Sequence, residues 1–565
     1  MAAQADKVDR PGRTGCPTVV AEETGRTAMF SSAVTQADDL IRTKTDTYST
    51  PRAFLPINDY LFLHHKSILC QAGRQPLACL FQSFLSLSKS SMIFNILHQN
   101  KTRHYRKVLR VCLPLVISLS ATVIMEFTDR VFLANYSLDA ISAALPAGIT
   151  SYLPIAFFGG VGGYAGVFIA QYVGRGDEQK IGCVLWQGIY FTLASGLVLW
   201  LLGVFAAKPL FALAGHPEEV RRLEEIYFSV LCRGAILHVA MVTLSTFFTG
   251  RGLTRPVMLI TFLGVVINIP LDYALIFGRW GLPEMGIKGA AIATVIAWGI
   301  NAACLAGFIF TKENNRRFGV FKNLRLDREI FLRLMRFGVP GSLQFTMDIL
   351  AFTLFILLVG RIGLAELAAT NIVMSINALA FMPSMGASQG ISVLVGQALG
   401  RGKPELASEY VADGCRLLLL YILLVDLIFV FAPDFVLSPF LAAGQAADMH
   451  QTVLLHSRQL LHIVAAYLFF DALYMVFSGA LRGAGDTRFM MLAIAAVSPF
   501  CLVLPVYIGI EYLEIGVGTA WLWVLFFVTV LFTLSFLRFQ HGAWKKMLVI
   551  EDFKKKRPPQ ESELR

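Results

Sequence analysis

Four carboxylates stand in the middle of long apolar stretches: Asp129, Asp272, Asp348 and Asp471. A carboxylate placed in hydrocarbon costs at least about 2.5 kcal/mol, so each position reads first as functional. Glu126 lies three residues before Asp129, and Asn268 lies four before Asp272, spacings that put each pair on one helical face. The chemistry these groups offer is cation handling. In low dielectric a carboxylate can hold a proton near neutral pH. With neighbouring oxygens it can hold a dehydrated Na⁺ instead. It also attracts an organic cation, for which aromatic side chains supply a cation-π surface. Glu126 is an extra acid open to a functional or a structural role. Asp426 and Arg233 read as local ion pairs or as residues near a water boundary, and His238 as a satisfied core histidine.

The elements that position these residues follow from composition and periodicity. The chain has 565 residues, is 56% hydrophobic and only 15% charged, and its mean hydropathy is +0.61. Soluble domains are about a quarter charged. An ordinary cytosolic enzyme, a disordered chain and a fibrous protein are all excluded. A transmembrane helix needs about 20 apolar residues. Twelve segments qualify: 109–134, 143–172, 183–206, 224–249, 256–277, 287–311, 331–359, 367–397, 410–436, 454–481, 489–510 and 515–538. The predicted fold class is an all-α polytopic membrane protein. Residues 1–105 are polar and Pro-bearing, and read as a disordered extension or as sequence upstream of a true start near Met92.

Lysine and arginine set the orientation. With the N-terminus inside, 21 of them fall in inside loops and in the stretch before the first span, and seven fall in outside loops. The net charge of +11 is thus a topology signal, and no nucleic-acid partner is expected. Both termini are predicted to be cytoplasmic.

The second half repeats the first. At an offset of 226, Ala170-Gln-Tyr-Val-Gly-Arg-Gly176 falls on Gly396-Gln-Ala-Leu-Gly-Arg-Gly402, and Leu113-Pro114 on Val339-Pro340. Near 233, Gly252-Leu-Thr-Arg255 falls on Gly485-Asp-Thr-Arg488. Six spans repeat as six, so the copies share one orientation and are related by an axis along the membrane normal. The expected division is an N-terminal lobe at 106–311, a cytoplasmic linker at 312–336, a C-terminal lobe at 337–540 and a basic tail at 541–565. The acids do not repeat: Asp348 falls on Thr122, and Asp129 on Phe355.

Enzyme signatures are absent. Gly159-Gly160-Val-Gly-Gly163 lies inside an apolar span without a Lys-Ser/Thr ending, so it reads as close helix packing rather than a phosphate loop. Nine Cys without a CxxC pair indicate neither a disulfide framework nor a zinc site. No catalytic residue, cofactor or metal other than Na⁺ is expected.

Taken in order, several motifs resemble the MATE family of multidrug and toxic compound extrusion transporters, with a NorM-like pattern in the MOP superfamily. They are Leu113-Pro114 through Phe127-Thr128-Asp129-Arg130-Val131; Gly250-Arg-Gly-Leu-Thr-Arg-Pro256 with Val266-Ile-Asn-Ile-Pro-Leu-Asp272; Gly338-Val-Pro340 with Asp348; and Asp471 with Ser478-Gly-Ala-Leu-Arg-Gly-Ala-Gly-Asp-Thr487. The resemblance covers about 105–540. It implies a twelve-helix, two-lobed antiporter of the inner membrane, monomeric among lipids, exporting cationic or amphipathic small molecules against Na⁺ or H⁺. It further implies that Asp129, Asn268, Asp272 and Thr294 form an N-lobe cation site and that Pro114 marks a helix bend. Asp348 and Asp471 match a C-lobe pair, with Phe381 lining that site and Asn371 facing the cavity. The helix-seven acid of NorM-type members is commonly Glu, so Asp348 is a departure. A flippase for lipid-linked oligosaccharides shares the superfamily and is the alternative function, although its anionic headgroup suits a cationic cavity better than these acids.

Overall fold

The structure is a computed structural model and describes residues 104–213, 215–441 and 447–551. Met92 and nearly all of the 1–105 extension lie outside these residues. The described chain is all helical, with twelve helices long and apolar enough to cross a membrane. They are α1 Tyr105–Tyr136, α2 Leu138–Arg175, α3 Gln179–Phe205, α4 Glu218–Thr249, α5 Thr254–Phe277 and α6 Ile287–Ile309, then α7 Arg328–Val359, α8 Leu364–Gly400, α9 Pro404–Phe431, α10 Ala447–Ala484, α11 Thr487–Leu513 and α12 Val517–His541. All twelve predicted segments lie within these helices or overlap them closely. Several helices run past the apolar segment, α4 and α10 by about two turns at the N-terminus, because helical hydrogen bonding continues where the apolar stretch ends. The Ser137 hydroxyl accepts from Asp139 and Ala140 N–H to start α2. Asp327 does the same for α7 at Glu329 and Ile330, so residues 328–336, read as linker, are the first turns of that helix.

The two halves are packed alike. In the first, α4 sits at the centre against α2, α3 and α6; in the second, α10 sits against α8, α9 and α12. Helix α1 pairs with α5, and α7 with α11. Across the halves, α1 packs on α8 and α7 on α2. The contacts are reciprocal residue by residue. A Cβ on Gly390 would meet Cys112, and one on Gly338 would meet Tyr164; Gly386 meets Val116, and Gly160 meets Ser342. Each pair maps onto its counterpart at the offset of 226 found in the sequence. The repeat is therefore a pseudo-two-fold in space.

The same symmetry closes one end of the molecule. Gly174 and Gly400 lie so close to the opposite chain that a Cβ would approach the Gln397 and Gln171 carbonyl oxygens at 2.2 and 2.1 Å. Gln171 Nε2 donates to Gly483 O at 3.1 Å, and Gln397 Nε2 donates to Gly250 O at 3.0 Å. This end carries the Arg- and Lys-rich loops and the short helix Lys312–Phe318. There Arg317 clamps Glu178 through two bonds of 2.6 and 2.8 Å, and that guanidinium holds the Glu178 carboxyl below its ordinary range. The pair is exposed and contributes little to stability.

At the closed end, the first residues of the basic tail pack into the helical core. After α12, Trp544 stacks on Phe539 at 4.7 Å, and Val549 and Ile550 enter the core cluster containing Tyr164, Phe168 and Leu334. Val549 N–H donates to Gln171 Oε1 at 2.9 Å, and Arg175 donates to Glu551 O at 2.6 Å. The segment is a strap from the last helix of the second half onto α2 of the first. Its apolar residues are hidden among lysines, which is why composition alone reads it as tail. Val549→Asp would bury a carboxylate in an apolar cluster at a cost of several kcal/mol. It is expected to lower the melting temperature in detergent by several degrees, measured by intrinsic fluorescence.

Candidate cation and substrate site

The first-half cluster is assembled by three helices. Asp129 comes from α1, Asn268 and Asp272 from α5 and Thr294 from α6; all four are buried, with Asn268 and Asp272 fully so. Asn268 and Asp272 share a face because they are one turn apart. The Asp129 and Asp272 carboxyls are electrostatic neighbours, and Asn268 adjoins Asp272. Yet Asp129 Oδ1, both Asp272 oxygens and both Asn268 amide atoms have no hydrogen-bond partner. Buried polar atoms are almost always paired, so a cluster in which the acids and the amide have only one another as neighbours is a candidate site for a cation or a shared proton. An oxygen-rich donor set of this kind suits a hard monovalent cation or a proton. Thr294 Oγ1 donates to Ala290 O at 3.1 Å, leaving its lone pairs to accept or to coordinate.

Two further groups belong here. Tyr227 of α4 is an electrostatic neighbour of Asp129, Asp272 and Glu126. A single Tyr in an apolar helix gives no pattern to detect, and the sequence reading passed over it. Glu126 is exposed, in contrast to buried Asp129. Pro114 lies inside α1, where it cannot donate to Arg110 O, and Thr254 Oγ1 of α5 approaches that freed carbonyl at 3.3 Å.

The second-half cluster is centred on α10. Asp471 is buried, and Asp348 of α7 is half-buried. The two carboxyls are electrostatic neighbours of each other and of Tyr467 and Tyr474. Gln344, one turn before Asp348, donates to Tyr474 Oη at 3.2 Å and Ser478 Oγ at 2.9 Å. Asn377 of α8 is buried and adjoins Tyr467. Tyr467, Asp471, Tyr474 and Ser478 recur at steps of four, three and four, a polar stripe on α10 that the sequence could have disclosed. Asn371 is exposed and lies on a different face of α8 from Asn377; Phe381 is half-buried.

Other expectations change. Among the described residues neither Asp426 nor Arg233 forms an ion pair: Arg233 is exposed, and Asp426 Oδ1 is buried without a partner. His238 packs edge-on against Trp298 at 4.9 Å, but its Nδ1 has no hydrogen bond, so it is an aromatic packing group rather than a satisfied one. The glycine run is packing, as read: Cβ atoms on Gly160 and Gly162 would strike Ser342 and Thr243.

Twelve spanning helices in two like halves, with acid clusters in each, define a polytopic membrane transporter. The MatE family model matches residues 114–274 and 340–508, once in each half, and the chain belongs to that family. Membership places it among transporters rather than enzymes. Among its relatives, the probable multidrug resistance protein NorM of Thermotoga maritima is 27% identical over 467 residues, covering 81% of this chain and 97% of that one. A protein of the same description in Burkholderia pseudomallei is 28% identical over 395 residues, covering 69% and 83%. The fold matches a MOP superfamily transporter from Pyrococcus furiosus, described as having a binding pocket of reverse polarity, with a TM-score of 0.72 at 21% identity over 81% of this chain and all of that one. It matches an outward-facing multidrug resistance MATE transporter with a TM-score of 0.71 at 21% identity, with the same coverage.

Proposed function

We propose that the chain is a secondary active efflux antiporter of the inner (plasma) membrane, exporting amphipathic organic cations in exchange for Na⁺ or H⁺ by alternating access. The observation that carries this reading is the facing pair Asp129 and Asp272 with Asn268, buried in a membrane protein and lacking partners for five polar atoms. Asp129, Asn268, Asp272 and Thr294 hold the coupling ion. Asp348 and Asp471 bind the ion or the substrate cation in the second half, with Phe381 lining that site and Asn371 facing the cavity, and Pro114 is the bend of α1. The multidrug resistance proteins among its relatives support a polyspecific substrate range. The Arg- and Lys-rich closed end faces the cytoplasm, with the linker that starts at 312 and runs into the first turns of α7, and both termini, and the two halves on either side of that linker rock about the axis between them. The protein works as a monomer in lipid.

Proteoliposomes with a Na⁺ or a pH gradient, imposed separately, test this. One gradient is expected to drive movement of a fluorescent lipophilic cation. Undiminished transport after Asp129→Asn, Asp348→Asn and Asp471→Asn together overturns the mechanism. Rescue of a glycan-assembly defect without protection from drugs would point to the oligosaccharide flippase instead.

A further inference from the structure

Helix α1 has three faces that can be told apart. Cys112 and Val116 lie against Gly390 and Gly386 of α8, in the closed half of the contact. Leu113, Ile117, Ile124 and Val131 are exposed and apolar, on a face about 100–140° away from Cys112. At about 100° per residue, Val123, Glu126 and Arg130 return to within roughly 40° of the Cys112 line, beyond the closed contact. They continue the face that meets α8 of the other half, past the close contacts at Cys112 and Val116. Glu126 and Arg130 are both exposed there. Charges exposed on a spanning helix face water, not lipid. Asp129, between them in sequence, turns inward and is only 7% exposed.

The two charges are one helical turn apart, with Cβ atoms about 5–6 Å from each other. Across the same spacing Arg333 closes on Glu329 at 2.9 Å, whereas Glu126 and Arg130 form no ion pair among the described residues. Phe127 is exposed beside them, and Tyr152 of α2 is an electrostatic neighbour of Glu126. A flat cation meets a carboxylate and aromatic surface, and a carboxylate on the same molecule meets a guanidinium.

We propose that Glu126 and Arg130 form a substrate subsite in the cavity between the halves, suited to amphipathic zwitterions that carry a delocalised or ammonium cation and a carboxylate. The inference rests on the antiport reading and deepens it: Asp129 and Asp272 serve the ion, while Glu126 and Arg130 select the cargo. A simple cation gains Glu126 but also meets Arg130; a zwitterion satisfies both.

Tetramethylrhodamine, a zwitterion, and its methyl ester, a cation with the same rings, separate the two cases. Binding to the full-length protein in detergent is followed by fluorescence anisotropy, and transport in proteoliposomes. Arg130→Ala is expected to weaken binding of the zwitterion about tenfold and to leave the ester unchanged or tighter. Arg130→Lys should retain most of the zwitterion affinity, and Glu126→Gln should weaken both dyes. Both side chains are exposed, so the melting temperature should not move. An equal change in the two dyes with Arg130→Ala overturns the proposal, since Arg130 would then only neutralise Glu126. Wild-type binding that discriminates as expected, without any gradient-driven transport, would uphold the subsite and overturn the antiport reading.

Discussion

Asp129→Asn and Asp272→Asn are each expected to reduce substrate-dependent ion flux by about 100-fold or more, while raising rather than lowering thermal stability. The two signs arise from one cause. A carboxylate fixed in a buried cluster without hydrogen bonds is a cost to folding, retained for what it binds. The amide keeps the shape and removes the charge. Stability rises because the cluster no longer confines two acids against each other. Flux falls because a neutral amide neither releases a proton nor balances a cation. A purely structural acid behaves in the opposite way: its loss strips partners of their hydrogen bonds and destabilises the fold. Gradient dissipation in proteoliposomes and melting in detergent, made on the same preparations, read both signs. Wild-type flux from Asp129→Asn, with flux lost from Asp348→Asn and Asp471→Asn, would move ion coupling to the second half.

The helices, the repeat and the acids were legible because each leaves a local mark. Twenty apolar residues are a span, a shared Gln-x-x-Gly-Arg-Gly is a repeat, and an Asp in a span is conspicuous. The faces were not legible. Helix α8 is apolar toward both lipid and protein, so no periodic stripe marks the side that meets α10. The family resemblance pointed to Asn371, which is exposed, but no stripe pointed to Asn377, six residues on and about 120° around the helix, which is buried beside Tyr467. The Gln344–Tyr474–Ser478 network was missed because Gln344 comes from a different helix, 130 or more positions from the Tyr474 and Ser478 it joins. The strap at 547–551 was hidden for a third reason. Its apolar residues are too few to register as an element, and only packing against α2 reveals their role.

Gly400→Val is expected to abolish transport and to leave the Arg- and Lys-rich end open, and Gly174→Val is expected to do the same. A Cβ at Gly400 would stand 2.1 Å from the Gln171 carbonyl oxygen, and one at Gly174 would stand 2.2 Å from that of Gln397. Backbone carbonyls cannot swing aside as a flexible side chain can, so α2 and α8 must separate. Separation stretches the bonds from Gln171 to Gly483 and from Gln397 to Gly250, and pulls Gln171 from the strap at Val549. These contacts hold the closed end, so a state normally stabilised by the whole interface becomes inaccessible, and an alternating-access cycle cannot run without it. Cys112 reports the opening directly. Its sulfur is buried at the α1–α8 contact beside Ala387 and Gly390. Maleimide labelling of Cys112, resolved by peptide mass, should rise about tenfold or more in either variant. Gly307, with nothing within 4 Å of a Cβ, supplies the control: Gly307→Ala should leave labelling and transport unchanged. Because the contacts are two-fold equivalents, the two glycine variants should open the end to the same degree. A defect in only one of them would show that the halves close by unequal contacts despite their symmetry.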